Sequence, residues 1–136
     1  MIEKVFVDTG ALIARYLKKD NLHSKAVGLW LKIEKAPVQC IISPLIIHEV
    51  ATLLSRRANP LFAAEKIRSI YLSSRFRILR GDSDLEIEAL KIMEKYADLP
   101  LSYADAFSIA IMREYNIKRV FTFDEDFTVV GFTAFR

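Results

Sequence analysis

Cysteine is nearly absent from this chain. Cys40 is the single one in 136 residues, so no internal disulfide can form. Its neighbours Ile41 and Ile42 mark a buried thiol in a reduced, cytoplasmic setting. Histidine is almost as scarce: His23 and His48 stand apart, and with one cysteine they give no zinc-ligand spacing. Long apolar runs are missing too. The longest, residues 40–54, is interrupted by Ser43, His48 and Glu49, whereas a membrane span needs about 20 mostly apolar residues, so no membrane segment is expected. Glu3, Lys4 and Asp8 occupy the N-terminal stretch where a signal peptide would be uninterruptedly apolar. No linker, repeat or low-complexity stretch divides the sequence, and residues 1–136 are read as one domain.

What is present is a globular composition. Hydrophobic residues make up 52% and charged residues 27%, too apolar for a disordered chain. The net charge of +3 carries little information, but its distribution carries more. Residues 1–80 hold 14 Lys and Arg against 6 Asp and Glu; residues 81–136 hold 6 against 11. If four acids are neutralised by a bound metal, 20 cations face 13 acids, a surplus that attracts a polyanion.

Hydrophobic periodicity predicts alternating strands and helices. Strands are expected at Val5–Val7, Val38–Ile42, Phe76–Leu79 and Arg119–Phe123, with a fifth at Val129–Phe132. Helices are expected at Ala11–Leu17, His23–Lys35, from Ser43-Pro44 to about Arg57, and at Leu61–Leu72, Asp82–Tyr96 and Ser102–Tyr115. That alternation indicates an α/β chain layered about a parallel sheet.

Five acids stand where apolar residues or strand ends belong: Asp8, Glu49, Asp105, Asp124 and Asp126. Asp8 and Asp124 directly follow the first and fourth expected strands, the edge where open α/β sheets bind ligands. Asp8 also reads as a plain helix N-cap, and Asp124 or Asp126 as a solvated turn. Glu49 falls in the apolar stripe of its helix, with Leu45, Ile46 and Leu53 at i−4, i−3 and i+4; the plain alternative is an internal salt bridge, for example to Arg56. Asp105 closes a capping box with Ser102 and needs no further role on that ground alone. His48, about 100° around the helix from Glu49, is assigned to packing or surface. Convergence of several such carboxylates favours a hard divalent cation, Mg²⁺ or Mn²⁺.

The segments VFVDTGALIARYL (5–17), SPLIIHEVATLL (43–54), LSYADAFSIAIM (101–112) and VFTFDEDF (120–127) resemble, in this order and spacing, the four motifs of PIN domains. The resemblance covers essentially the whole chain, and the size looks most like the VapC-type toxins of prokaryotic toxin–antitoxin pairs. It implies a three-layer α/β/α sandwich with a central parallel sheet of four or five strands. It also implies a Mg²⁺- or Mn²⁺-dependent endonuclease that hydrolyses RNA to a 5′-phosphate product. Asp8, Glu49, Asp105 and Asp124 match the four catalytic, metal-binding acids, and Asp126 can stand in for the fourth. Thr122 matches the hydroxyl residue before the fourth acid, and Thr9 follows the first. The resemblance further implies a cognate antitoxin and a homodimer. Residues 58–80 depart most from the family pattern.

Candidate phosphate contacts are Arg15, Lys18 and Lys19 after the first motif and Arg56 and Arg57 after the second, each of which also reads as a solvated charge. Tyr16, Leu17, Ile46, Ile47, Val50 and Leu54 are candidates for an apolar groove that takes an antitoxin segment or a second copy, or for core. Two other phosphoryl chemistries fit poorly. A haloacid-dehalogenase-type site needs a second Asp two residues after Asp8, where Gly10 stands, and a receiver domain needs a mid-chain phosphoacceptor, yet residues 50–81 contain no Asp. A housekeeping RNA-processing nuclease and a non-catalytic RNA-binding module share the same sequence features.

Overall fold

The computed structural model describes residues 2–136. Its elements run β1 (Glu3–Val7), α1 (Thr9–Tyr16), α2 (His23–Lys35), β2 (Val38–Ile42), α3 (Pro44–Arg57), α4 (Pro60–Leu72), β3 (Phe76–Ile78), α5 (Ser83–Lys95), α6 (Tyr103–Glu114), β4 (Arg119–Phe121), α7 (Asp126–Val129) and β5 (Thr133–Ala134). The five strands form one sheet in the order β3-β2-β1-β4-β5, and every pairing is parallel. Parallel sheets are covered on both faces, so their strands are apolar throughout. Val5, Phe6, Val7, Cys40, Ile41 and Ile42 are all buried.

The strand order decides where a ligand can sit. From β1 the chain steps outward to β2 and β3, then returns across β1 to β4 and β5. Parallel crossovers are right-handed, so the two directions of travel place their helices on opposite faces. The pivot between β1 and β4 opens a crevice at the carboxyl ends of these two strands. The three-layer α/β/α sandwich expected from the sequence is therefore the observed architecture, with five strands.

Helix starts are set by their caps. Ser43 accepts from the Ile46 amide at 3.3 Å, with Pro44 at the first helical position. Asn59 accepts from the Phe62 amide at 2.8 Å and is likewise followed by proline, so the Asn59-Pro60 pair ends α3 and begins α4. Asp82 accepts from Leu85 at 3.0 Å. The end of α6 closes with Asn116 at φ 55°, while Ile117 N–H donates to Met112 O at 2.8 Å; a left-handed asparagine there turns the chain into β4.

One strand expectation fails. Residues 129–132 are not a strand: α7 occupies Asp126–Val129, Gly131 turns at φ 106°, and the fifth strand is Thr133–Ala134. Phe127 is fully buried and anchors the helical turn, whereas Val129 points outward and is exposed. The fourth strand also stops early, at Phe121, because Thr122 turns toward Asp8.

Cys40 lies in the sheet centre, fully buried, and burial pushes its thiol up to about 12, with Arg75 and Arg15 opposing. Thiolate is the reactive species. The folded protein at pH 8 is therefore expected to resist iodoacetamide at Cys40 and to react fully once unfolded in guanidinium. Equal alkylation rates by mass spectrometry in both states would contradict this placement.

Candidate active site

The crevice between β1 and β4 is built around Asp8. The strand ends at Val7, and Asp8 is both the next residue and the N-cap of α1. It is only 7% exposed. One oxygen, Oδ1, accepts from the Thr9 amide at 2.8 Å, and the other, Oδ2, accepts from the Thr122 hydroxyl at 2.8 Å. The Thr122 oxygen in turn accepts the Asp124 amide at 2.9 Å, and Asp124 Oδ1 accepts the Asp126 amide at 2.9 Å. The loop after β4 is thus fastened to the end of β1 by a chain of short bonds running through Thr122.

The other two acids arrive on helices. Glu49 is half-buried on α3, and its Oε1 accepts from the Thr9 hydroxyl at 2.6 Å. Among the described residues no cation pairs with it, so the internal salt bridge offered as the plain alternative is not found there. Asp105 sits in the first turn of α6. Its Oδ2 accepts from the Ser102 amide at 3.1 Å, while its own amide donates to the Ser102 hydroxyl at 3.0 Å. The capping box is complete, as its sequence announced. The box fixes the carboxylate without using all of it, because a carboxylate has about four acceptor positions.

These acids share one electrostatic field. Burial raises Asp8 to about 7, with the charges of Asp105 and Asp124 pushing in the same direction against the Thr122 and Thr9 hydrogen bonds. Asp105 is raised by burial and then by Asp124 and Glu49, which outweigh its bonds to Ser102. Asp126 is raised by desolvation and by Asp124 and Glu125. Among the described residues the ion pairs are Arg15–Glu34, Arg57–Asp20, Lys66–Glu65 and Arg119–Glu3, and none involves a crevice acid. A cluster of carboxylates with no protein cation is what a hard divalent ion satisfies. Among the described residues no three His, Cys, Asp or Glu side chains stand close enough together to hold a metal ion as a group. Mg²⁺ does not require such a group, since it keeps several waters and commonly binds through one or two carboxylates. The all-oxygen donor set fits that chemistry.

The remaining candidates fall elsewhere. Arg15 lies over the Trp30 ring, 4.4 Å from its centroid, and pairs with Glu34 at 3.4 Å; Arg57 pairs with Asp20 at 3.7 Å. Lys18, Lys19 and Arg56 are exposed. All five lie at or beyond the ends of α1 and α3 remote from Asp8; Arg15 alone is seven residues, or about 10 Å, along its helix. Ile46, Ile47, Val50 and Leu54 are core. Only Tyr16 and Leu17 of the groove candidates reach the surface, where they line a cavity of about 440 Å³ with Phe62 and Arg57. His48 is exposed. Arg80 and Tyr103, at the acid-bearing edge, were not singled out from the sequence, and nothing in their local pattern distinguishes them from surface residues.

The raised Asp8 has a consequence for stability. The folded state holds this proton more tightly than the unfolded chain, whose Asp titrates near 3.8. Stability of the metal-free protein should therefore fall as pH rises from about 4 to about 7, by up to roughly 4 kcal/mol at 1.36 kcal/mol per pH unit. Melting curves in EDTA check this: Asp8→Asn should flatten the decline and melt higher than wild type at pH 8. A mutant with the wild-type slope would remove Asp8 as its cause.

Comparison with known proteins identifies the family and the fold. The PIN domain family profile matches residues 5–133. The chain is 34% identical over 132 residues to the 23S rRNA-specific endonuclease VapC20 of Mycobacterium tuberculosis, covering 97% of this chain and 98% of that protein. The crystal structure of M. tuberculosis VapC20, described as a sarcin–ricin loop cleaving toxin, superposes with a TM-score of 0.86 at 31% identity, over 95% of this chain and 96% of the other. VapBC2 from Rickettsia felis, bound to a DNA fragment from its promoter, shares the fold at a TM-score of 0.68 and 15% identity, over 96% of each chain. On a family match that spans nearly its whole length, this chain belongs to the PIN-domain family.

Proposed function

We propose that this chain is a divalent-metal-dependent endoribonuclease, the toxin of a toxin–antitoxin pair, acting on large-subunit ribosomal RNA. The observation that supports the reading is the shared field at the β1–β4 pivot: Asp105 and Asp124 raise Asp8, Asp124 and Glu49 raise Asp105, and among the described residues no ion pair relieves any of them. The full-length similarity to a 23S rRNA-specific endonuclease supports the substrate class.

In this reading Asp8 and Asp105 hold Mg²⁺ or Mn²⁺, with Glu49 and Asp124 binding a second ion or the ion's waters, and Asp126 placed by Asp124. When bound, the ion supplies an acidified water and charge stabilisation at the phosphoryl oxygen. The chain's own residues do the rest. Thr122 fixes the Oδ2 of Asp8, Ser102 fixes Asp105, and Thr9 holds the Oε1 of Glu49, which leaves its Oε2 to accept the proton of the attacking water. Asp8, on which burial keeps a proton up to about pH 7, would have to give that proton up to hold a cation. Lys18, Lys19 and Arg56 meet phosphates flanking the cut, too far along their helices to touch the reacting one. The Tyr16–Leu17 cavity receives an antitoxin segment, and the chain self-associates as a homodimer in the cytoplasm. No helix among the described residues is long and apolar enough to cross a membrane.

Purified protein incubated with ribosomal RNA should cleave it in Mn²⁺ or Mg²⁺ and not in EDTA, and Asp8→Asn should lower the rate by about a hundredfold or more. Thr122→Val should cost about 10- to 100-fold, the usual loss when a residue that orients a metal ligand is removed. Cleavage that survives both EDTA and Asp8→Asn would refute the assignment.

A further inference from the structure

A second cavity lies at the same edge of the sheet, of about 230 Å³, and its groups have no part in the hydrolysis described above. Arg80, Gly81, Asp82, Glu86, Tyr103 and Phe107 line it, with Pro44 and Leu45 at the start of α3; the Asp82 carboxylate is held as the N-cap of α5 by the Leu85 amide. None of the crevice acids lines it, but it neighbours two of them along the chain: Tyr103 is two residues before Asp105 in the first turn of α6, and Leu45 is one helical turn before Glu49 on the same face of α3. Gly81 shapes it. At φ 76° the backbone passes so close to Phe107 that a Cβ would come within 2.7 Å of its ring, so residue 81 must be glycine for the turn and the ring to coexist. The buried Phe107 ring then stands 6.2 Å from that of Tyr103, at 36°. Tyr103 is 36% exposed, so part of its ring is open to solvent at the cavity. Arg80 is exposed and forms no ion pair among the described residues.

The volume limits the occupant. It is below the ~300–1,000 Å³ of pockets for drug-sized ligands, and suits one planar ring system, not a stretch of chain. The walls define its chemistry: an aromatic ring for stacking, a carboxylate at Glu86 to accept from exocyclic amino groups, and a free guanidinium at Arg80 for a phosphate. We propose that this cavity receives a single unstacked nucleobase adjoining the scissile phosphate, stacked on Tyr103, with Arg80 on the neighbouring phosphate. The inference rests on the ribonuclease reading and extends it to specificity. A base can enter only from a loop or after leaving its stack, so cleavage falls at unpaired nucleotides.

The test uses ribosomal RNA and a pool of randomised single-stranded RNA with Mn²⁺, with new ends mapped by sequencing. Wild type should show a base preference at one position beside the cut. Tyr103→Leu keeps apolar bulk but removes the aromatic face; it should lower kcat/KM by about 10- to 100-fold and flatten that preference. Tyr103→Phe should stay within a few-fold of wild type, and Arg80→Gln should raise KM without altering the preference. The Mn²⁺-induced rise in melting temperature should be the same in all of them, which separates a base pocket from damage to the acids. Wild-type cleavage that Tyr103→Leu leaves unchanged in rate and preference would overturn the pocket alone. Absence of metal-dependent cleavage of either RNA by wild type would overturn the ribonuclease reading and the pocket with it.

Discussion

A buried carboxylate without a counter-ion governs this structure. Asp8 is desolvated at the end of the central strand, and its only compensation is a backbone amide and one threonine hydroxyl. Two hydrogen bonds do not repay the desolvation of a full charge, so the proton is retained to near neutrality. The charged groups that act on it, Asp105 and Asp124, are acids and raise it further. Replacing the cluster with apolar residues would make a more stable crevice and leave it unable to hold a cation. Such a locally unfavourable arrangement, maintained by surrounding structure, is the usual mark of a functional site.

The fold meets that constraint through topology. Strand order alone puts the ends of β1 and β4 side by side; Asp8 then caps α1, Asp105 comes from the first turn of α6 and Glu49 from the second turn of α3. Hydroxyl residues link the pieces: Thr9 bridges α1 to Glu49 on α3, and Thr122 bridges the β4 loop to Asp8. Neutral donors position the acids without neutralising them, which lysine or arginine in the same places would do. The five candidate phosphate-binding cations sit at or beyond the ends of α1 and α3, where Arg57 and Arg15 pair with Asp20 and Glu34 and the others stay in solvent.

Much of this was legible in the sequence, for definite reasons. Local rules reach across a few residues, so the Ser43-Pro44 cap and the Ser102–Asp105 box gave their helices directly. Glu49 was conspicuous because a helix stripe has a fixed period, and a charge in it needs a cause. The misplaced strand at 129–132 had the opposite origin. Val129, Val130 and Phe132 carry β-propensity, but Phe127 enters the core from a helical turn that runs on through Val129, and tertiary burial overrides propensity. Arg15 looked free because its partners Trp30 and Glu34 are remote in sequence. The Tyr103 cavity was invisible for the same reason: its walls come from four separate elements, and only the close approach of Gly81 to Phe107 assembles them.

The central claim is that a divalent cation takes the place of the Asp8 proton. Calorimetric titration of the protein with Mn²⁺ at pH 7, repeated in buffers of different ionisation enthalpy, measures that exchange directly. With Asp8 titrating near 7, binding should release about half a proton at that pH, more at pH 6, and clearly less in Asp8→Asn. Binding with no proton release at either pH, or with the same release in the mutant, would contradict the account.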